Sequence, residues 1–90
     1  MAEMDPQVHQ DCMNRFISLA NAMKDEGVDI QLISSAIMSA SGVYETFTLV
    51  GNEGGLTPAG VEKVAAKYRK HLERYQEIRK LEEEQRSAQD

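Results

Sequence analysis

The sequence predicts an all-α fold: a three-helix domain whose long C-terminal helix extends past the other two. Apolar residues recur at three- and four-residue spacing in three segments, which is the period of an amphipathic helix, and a capping residue precedes each segment. The one strand-like stretch, residues 45–50, has no second such segment to pair with. We therefore expect a single helical domain over residues 1–90, with helices over about 6–26, 30–50 and 58–86 and a frayed tail over 87–90.

The first helix is predicted to begin at Asp5 and Pro6. Asp accepts hydrogen bonds from free backbone N–H groups at an N-cap, and Pro at the first helical position has no N–H to leave unpaired. Gly27 is expected to end the helix in the left-handed conformation. The apolar stripe predicted to pack into the core consists of Val8, Cys12, Phe16, Leu19 and Met23.

The second helix is predicted to follow the cap Asp29 and to be apolar over a broad arc, so that it has two neighbours to contact. Residues 34–42, SSAIMSASG, are small at seven of nine positions. Because Gly costs roughly 1 kcal/mol relative to Ala inside a helix, close packing is the expected reason for Gly42. The β-branched end of the segment, residues 45–50, leaves a short strand as the second interpretation.

The third helix has the best-defined start. Thr57 is a good N-cap, Pro58 fits the first helical position, and Leu56 is placed to contact Val61 across the cap. The last turns carry few apolar residues but have Lys80 and Glu84, and Glu82 and Arg86, at ion-pair spacing. We expect a solvated end there, with a coiled-coil contact to another subunit as the alternative.

Composition limits the classes of function. The 90 residues carry a net charge of −5, which disfavours a general nucleic-acid binder because phosphate contacts need a basic surface. The charge is uneven: residues 1–57 hold eight acids against two bases, and residues 62–80 hold seven bases against three acids. We expect these two regions to attract each other. One cysteine, an acidic N-terminus and no long apolar run predict a soluble, cytoplasmic protein.

The glycine run VGNEGGLTPAG, residues 50–60, raises the question of a phosphate loop. A P-loop needs Lys and a hydroxyl residue after its last glycine, but Val61 and Glu62 follow Gly60. No G-x-G-x-x-G can be aligned either. We interpret the run as a connector whose glycines supply positive φ for a reversal of the chain.

Two further groups of polar residues are weak candidates for chemistry. Asp5, His9 and Cys12 share a helix face, but a structural zinc ion needs four ligands and only His71 is a plausible fourth. Residues 63–76 interleave cations with two tyrosines, as nucleic-acid surfaces do, but both tyrosines lie on the apolar stripe of the third helix and are expected to pack inward. We therefore expect no metal and regard nucleic acid as unlikely.

Three stretches, RFISLAN (15–21), SSAIMSAS (34–41) and LTPAGVEKVAAKYRKHLE (56–73), resemble a family of short bacterial helical proteins known only as a domain of unknown function. The resemblance covers roughly residues 12–75. It implies a bacterial cytoplasmic protein of three helices, and it transfers no activity and no site residue.

These observations favour a protein that acts through protein–protein association, as a homodimer, with another protein, or both. We expect no enzymatic activity, no cofactor and no membrane contact. The candidate association surface lies on the second helix and consists of Ser35, Met38, Ser39, Gly42 and Thr46. The alternative is a small-ligand-binding protein with an apolar pocket between the second and third helices, lined by Tyr44, Phe47, Tyr68 and Leu72.

Overall fold

The structure, a computed structural model, describes residues 5–89 and the side chains of residues 5–88. That part of the chain forms three helices and no strand: α1 (Pro6–Asp25), α2 (Ile30–Val50) and α3 (Pro58–Gln89). The predicted all-α, three-helix fold is confirmed, and α3 is the longest helix, with 32 residues against 20 in α1 and 21 in α2.

The chain divides into two compact units, Met1–Val43 and Tyr44–Asp90. The first unit, called here the first helix pair, contains α1 and the first two thirds of α2. The second unit, called the second helix pair, contains the last two turns of α2 together with α3. That residues 1–90 act as a single domain stays a prediction.

Side-chain caps begin the first two helices, as the sequence predicted. The backbone N–H of Gln7 donates to Oδ1 of Asp5 at 2.8 Å, and Pro6 occupies the first helical position. At the start of α2 the backbone N–H of Gln31 donates to Oδ1 of Asp29, also at 2.8 Å. Each carboxylate satisfies a backbone donor that the first turn of a helix leaves without an intrahelical partner.

The end of α1 is a Schellman motif centred on Gly27, whose φ is +99°. The backbone N–H of Gly27 donates to the carbonyl of Lys24 at 2.9 Å, and that of Val28 donates to the carbonyl of Met23 at 3.1 Å. Both bonds satisfy carbonyls that the last turn would otherwise leave free. The expected left-handed glycine is confirmed, and the tight reversal brings half-buried Met23 and Val28 to the same end of the first helix pair.

The segment over residues 45–50 is helical, so the strand interpretation was wrong. The β-branched side chains are accommodated because the helix supplies every backbone partner that an isolated strand would lack. One of them also bonds within the helix: the Thr48 hydroxyl donates to the carbonyl of Glu45 at 2.8 Å.

The glycine run forms the turn between α2 and α3, as predicted. Gly51 and Gly54 have φ of +60° and +78°, values that L-residues with side chains rarely adopt. The backbone N–H of Gly60 then donates to the hydroxyl of Thr57 at 3.1 Å, which confirms the predicted N-cap of α3. Leu56 is half-buried and lies beside Gly60. A Cβ added at Gly60 would lie 3.4 Å from the Cβ of Leu56.

The predicted end of α3 at residue 86 was too early. The helix continues through Gln89, and residue 90 lies outside the described residues. No glycine or proline follows Gly60 to interrupt the intrahelical bonds. The predicted ion pairs of this end are replaced by a contact between Arg86 and Glu83, three residues apart, which is a spacing that also brings side chains together on a helix.

Burial is confined to the neighbourhood of the two turns. Over residues 5–88 only Ile33 is buried, at 6% exposure. The half-buried residues are, in the first helix pair, Ala20, Met23 and Val28, and in the second, Glu45, Thr46, Val50, Leu56, Gly60 and Val64. Beyond these segments the helix faces are exposed.

The predicted core is therefore largely wrong for the single chain. Cys12, expected on a buried stripe, is exposed, and Tyr68 and Tyr75, expected to pack inward, are 50% and 51% exposed. The apolar stripes exist as predicted, but a helix with one neighbour is covered on one side only. Contact near a turn covers only the residues beside it.

Candidate association surfaces

The predicted association surface lies along α2. Ser35, Met38, Ser39 and Gly42, named here the α2 face, belong to the first helix pair and are all exposed, Met38 by 57%. The fifth predicted residue, Thr46, belongs to the second helix pair and is half-buried. Four of the five predicted residues are thus accessible on the surface of one unit.

Within the first helix pair, the α2 face lies on the opposite side of the helix from the buried Ile33. Gly42 follows Ile33 by nine residues, which is two and a half helical turns, so the two residues lie on opposite sides of α2. A Cβ added at Gly42 would have no heavy atom within 4 Å outside the helix's own backbone. Among the described residues the position of a Gly42 Cβ is therefore not closely packed, and the small residues leave room there for another backbone to approach.

Large apolar side chains are exposed on both helices of the first helix pair. The exposed ones are Val8, Met13, Phe16, Ile17, Leu19, Ile30, Leu32, Ile37, Met38 and Val43. Phe16 is 70% exposed although it lies in the middle of the predicted α1 stripe. Exposed large apolar side chains supply area that a second chain can cover, and apolar patches that are contiguous are typical of interaction sites.

The four residues of the predicted ligand pocket all belong to the second helix pair. The rings of Tyr44 and Phe47 contact each other, with centroids 6.1 Å apart and planes tilted by 43°. Tyr68 and Leu72 on α3 are about half exposed, as is Phe47, and Tyr44 is more so. None of the four lines the concave surface found on α3. The small-ligand alternative stays a prediction.

That concave surface follows the basic face of α3. It is open to solvent and is lined by Lys63, Ala66, Lys67, Lys70, His71 and Arg74. Sequence reasoning singled out the basic segment but not this face. The signal was available, because residues at spacings of three and four share one side of a helix.

One carboxylate reaches the basic face from α2. Nζ of Lys67 lies 2.9 Å from Oε1 of Glu45, and the Glu45 side chain is 26% exposed. This ion pair joins one of the eight acids of residues 1–57 to one of the seven bases of residues 62–80, so the attraction predicted from the charge split occurs at one position. A second pair, Arg69 and Glu73 at 3.5 Å, lies within α3 and is more exposed.

The residues considered for a metal site lie on α1. His9 and Cys12 are both exposed there, about one and two turns beyond the cap Asp5. Over the described range, no three His, Cys, Asp or Glu side chains form a group able to hold a metal ion.

Within residues 5–89, no helix combines the length and the apolar character needed to cross a bilayer.

Comparison of the chain with protein-family models, with curated proteins and with solved structures gave no match. The resemblance of residues 12–75 to a bacterial helical family therefore stays a prediction.

Proposed function

We propose that this protein is a non-catalytic bacterial protein of the cytoplasm that acts through protein–protein association, and first of all through a homodimer. One observation carries the proposal: the described chain buries a single side chain, Ile33, while large apolar side chains are exposed on all three helices. Burying a Val, Leu, Ile, Phe or Met side chain stabilises by about 1.5–3 kcal/mol. A second chain that covers several of these faces therefore supplies the apolar burial that the first chain lacks.

The α2 face is the surface that we propose for this contact. A two-fold dimer uses the same patch on both copies, so a patch of small residues lets two helices approach closely. Gly42, with open space where a Cβ would stand, marks the point of closest approach. Leu32 and Val43, both more than 60% exposed, lie beside the face on one side and supply apolar area.

Sedimentation equilibrium tests the proposal. The parent chain is expected to show a monomer–dimer equilibrium at tens of micromolar, with an upper mass of twice 10.1 kDa. A mass that stays at 10.1 kDa over the whole concentration range would contradict a homodimer. Affinity purification from the native host then separates a protein that needs a different partner from one that acts alone.

Two variants separate the α2 face from the rest of the helix. Gly42→Leu places a large side chain at the proposed point of closest approach and is expected to weaken dimerisation about tenfold or more, which corresponds to ~1.4 kcal/mol. Ser41→Leu adds the same side chain one residue earlier, 100° round the helix, and is expected to change dimerisation by less than about threefold. Equal effects of the two variants would place the contact elsewhere.

A further inference from the structure

Four charged residues recur every seven positions along α3: Lys63, Lys70, Glu77 and Glu84, named here the charge register. Seven residues are close to two helical turns, so the four side chains share one side of the helix with a drift of about 20° per step. All four are exposed. The side is basic toward the start of α3 and acidic toward its end.

Neither half of the charge register is neutralised by another residue of the part of the chain that the structure describes. None of the four side chains forms an ion pair or a side-chain hydrogen bond with any residue of the described range. Lys63 and Glu84 are 21 residues apart, about 32 Å along the helix axis at 1.5 Å per residue. Lys70 and Glu77 are also too far apart, because helical neighbours are three or four residues apart.

A second copy of α3 can lie antiparallel beside the first, with its residue 74 level with residue 73 of the first copy. This alignment places opposite charges side by side. Lys63 then lies level with Glu84 of the second copy, and Lys70 lies level with Glu77. The same register sets Ala66 level with Leu81, an apolar side chain that is 57% exposed. A parallel alignment in register would instead place lysine beside lysine and glutamate beside glutamate.

We propose that the exposed side of α3 that carries the charge register is a docking surface for the antiparallel α3 of a second copy. The inference rests on the proposed self-association and adds to it the direction and register of a second contact. Two-fold symmetry makes each Lys–Glu match occur twice, giving four matches in all. Exposed ion pairs are individually weak, so their main effect is on orientation and register rather than on affinity.

Charge exchange tests the register. The variant Lys63→Glu/Lys70→Glu makes the whole side acidic, and Glu77→Lys/Glu84→Lys makes it basic. Each is expected to weaken dimerisation about tenfold or more at about 50 mM salt, because all four matches become repulsive. The matched control combines the four substitutions: it keeps the net charge of the parent and restores every match in the antiparallel alignment, so its dimerisation is expected to lie within about threefold of the parent's.

Sedimentation equilibrium at low and high salt gives the result, with circular dichroism as a check that each variant is still helical. The weakening by the double variants is expected to shrink to about twofold at about 0.5 M salt, because exposed charges are screened. A fourfold exchange that dimerises as poorly as the double variants would overturn the antiparallel register. A dimer indifferent to all three variants would overturn the α3 contact and leave the proposed homodimer standing, whereas a monomeric parent would overturn the homodimer itself.

Discussion

The two helix pairs differ in how their turns are built and in what those turns bury. The first turn has four residues, 26–29, between α1 and α2, and the second has seven, 51–57, between α2 and α3. Next to the short turn the chain buries Ile33. Next to the longer turn it buries no side chain over the described residues and forms the ion pair between Glu45 and Lys67 instead.

The difference shows what a turn can and cannot do for packing. The first turn is fixed by two Schellman hydrogen bonds, and a capped helix follows it at once. Such a turn holds the neighbouring side chains in one arrangement, so an apolar residue beside it can be covered. A longer turn with two positive-φ glycines, Gly51 and Gly54, reverses the chain but leaves half-buried side chains of mixed polarity around it. In neither pair does the covered region extend along the helices.

Among substitutions near the two turns, Ile33→Ala is expected to lower the free energy of unfolding the most. Removing most of a buried isoleucine costs about 2–3 kcal/mol, toward the lower end of the range for core positions because few other side chains surround it. Urea unfolding followed by circular dichroism measures the change. Ile30→Ala is the matched control, because Ile30 lies on the same helix and is 64% exposed. A similar loss at both positions would mean that Ile33 is no better packed than its exposed neighbour.

Gly27→Ala is expected to be next in size. A side chain at φ +99° is strained, and we expect a loss of about 1–2 kcal/mol in the free energy of unfolding. Gly55→Ala is the control, because Gly55 has no positive φ and open space around it, and its effect is expected within about 0.5 kcal/mol. If both substitutions were neutral in thermal unfolding, the Schellman turn would not constrain the first helix pair.

Thr57→Ala tests the second turn and is expected to cost about 1 kcal/mol, since it removes the hydroxyl that accepts from the Gly60 N–H. Thr48→Ala is the control. The Thr48 hydroxyl bonds only within its helix, and Ala is the better helix former, so that variant is expected to be neutral or slightly stabilising. Equal losses would indicate that the cap does not determine where α3 begins.

The ion pair between Glu45 and Lys67 is expected to give the smallest effect. A double-mutant cycle with Glu45→Gln and Lys67→Met should give a coupling of about 0.5 kcal/mol, discounted because the Lys67 side chain is 55% exposed. The Arg69–Glu73 pair, with side chains 80% and 64% exposed, should give less. A coupling no larger than the one between Arg69 and Glu73 would mean that the ion pair between Glu45 and Lys67 does not stabilise the second helix pair.

These contrasts also indicate which parts of the fold the sequence could predict. The caps Asp5, Asp29 and Thr57 and the left-handed Gly27 were predicted correctly because each depends on the chemistry of residues within one turn of a helix. The end of α3 was missed because no capping or breaking residue marks it.

Burial could not be predicted in the same way. A periodic stripe shows which side of a helix is apolar, but it does not show whether another element covers that side, and Cys12 and Tyr68 were placed inside on the stripe alone. The same limit applies to the candidate surfaces: the small residues around Gly42 are exposed, but their role in association stays a prediction. The spacing of the α3 cations was visible in the sequence, whereas the concavity of that face needed coordinates.

The prediction on which the proposed homodimer depends is that association supplies the apolar burial that one chain lacks. Its most direct test is the urea midpoint of the parent chain at two protein concentrations about a hundredfold apart. Because a second copy binds the folded chain and not the unfolded one, the midpoint should rise with concentration, as mass action requires. A midpoint that stays the same at both concentrations would show that the single chain is stable by itself and would contradict the claim.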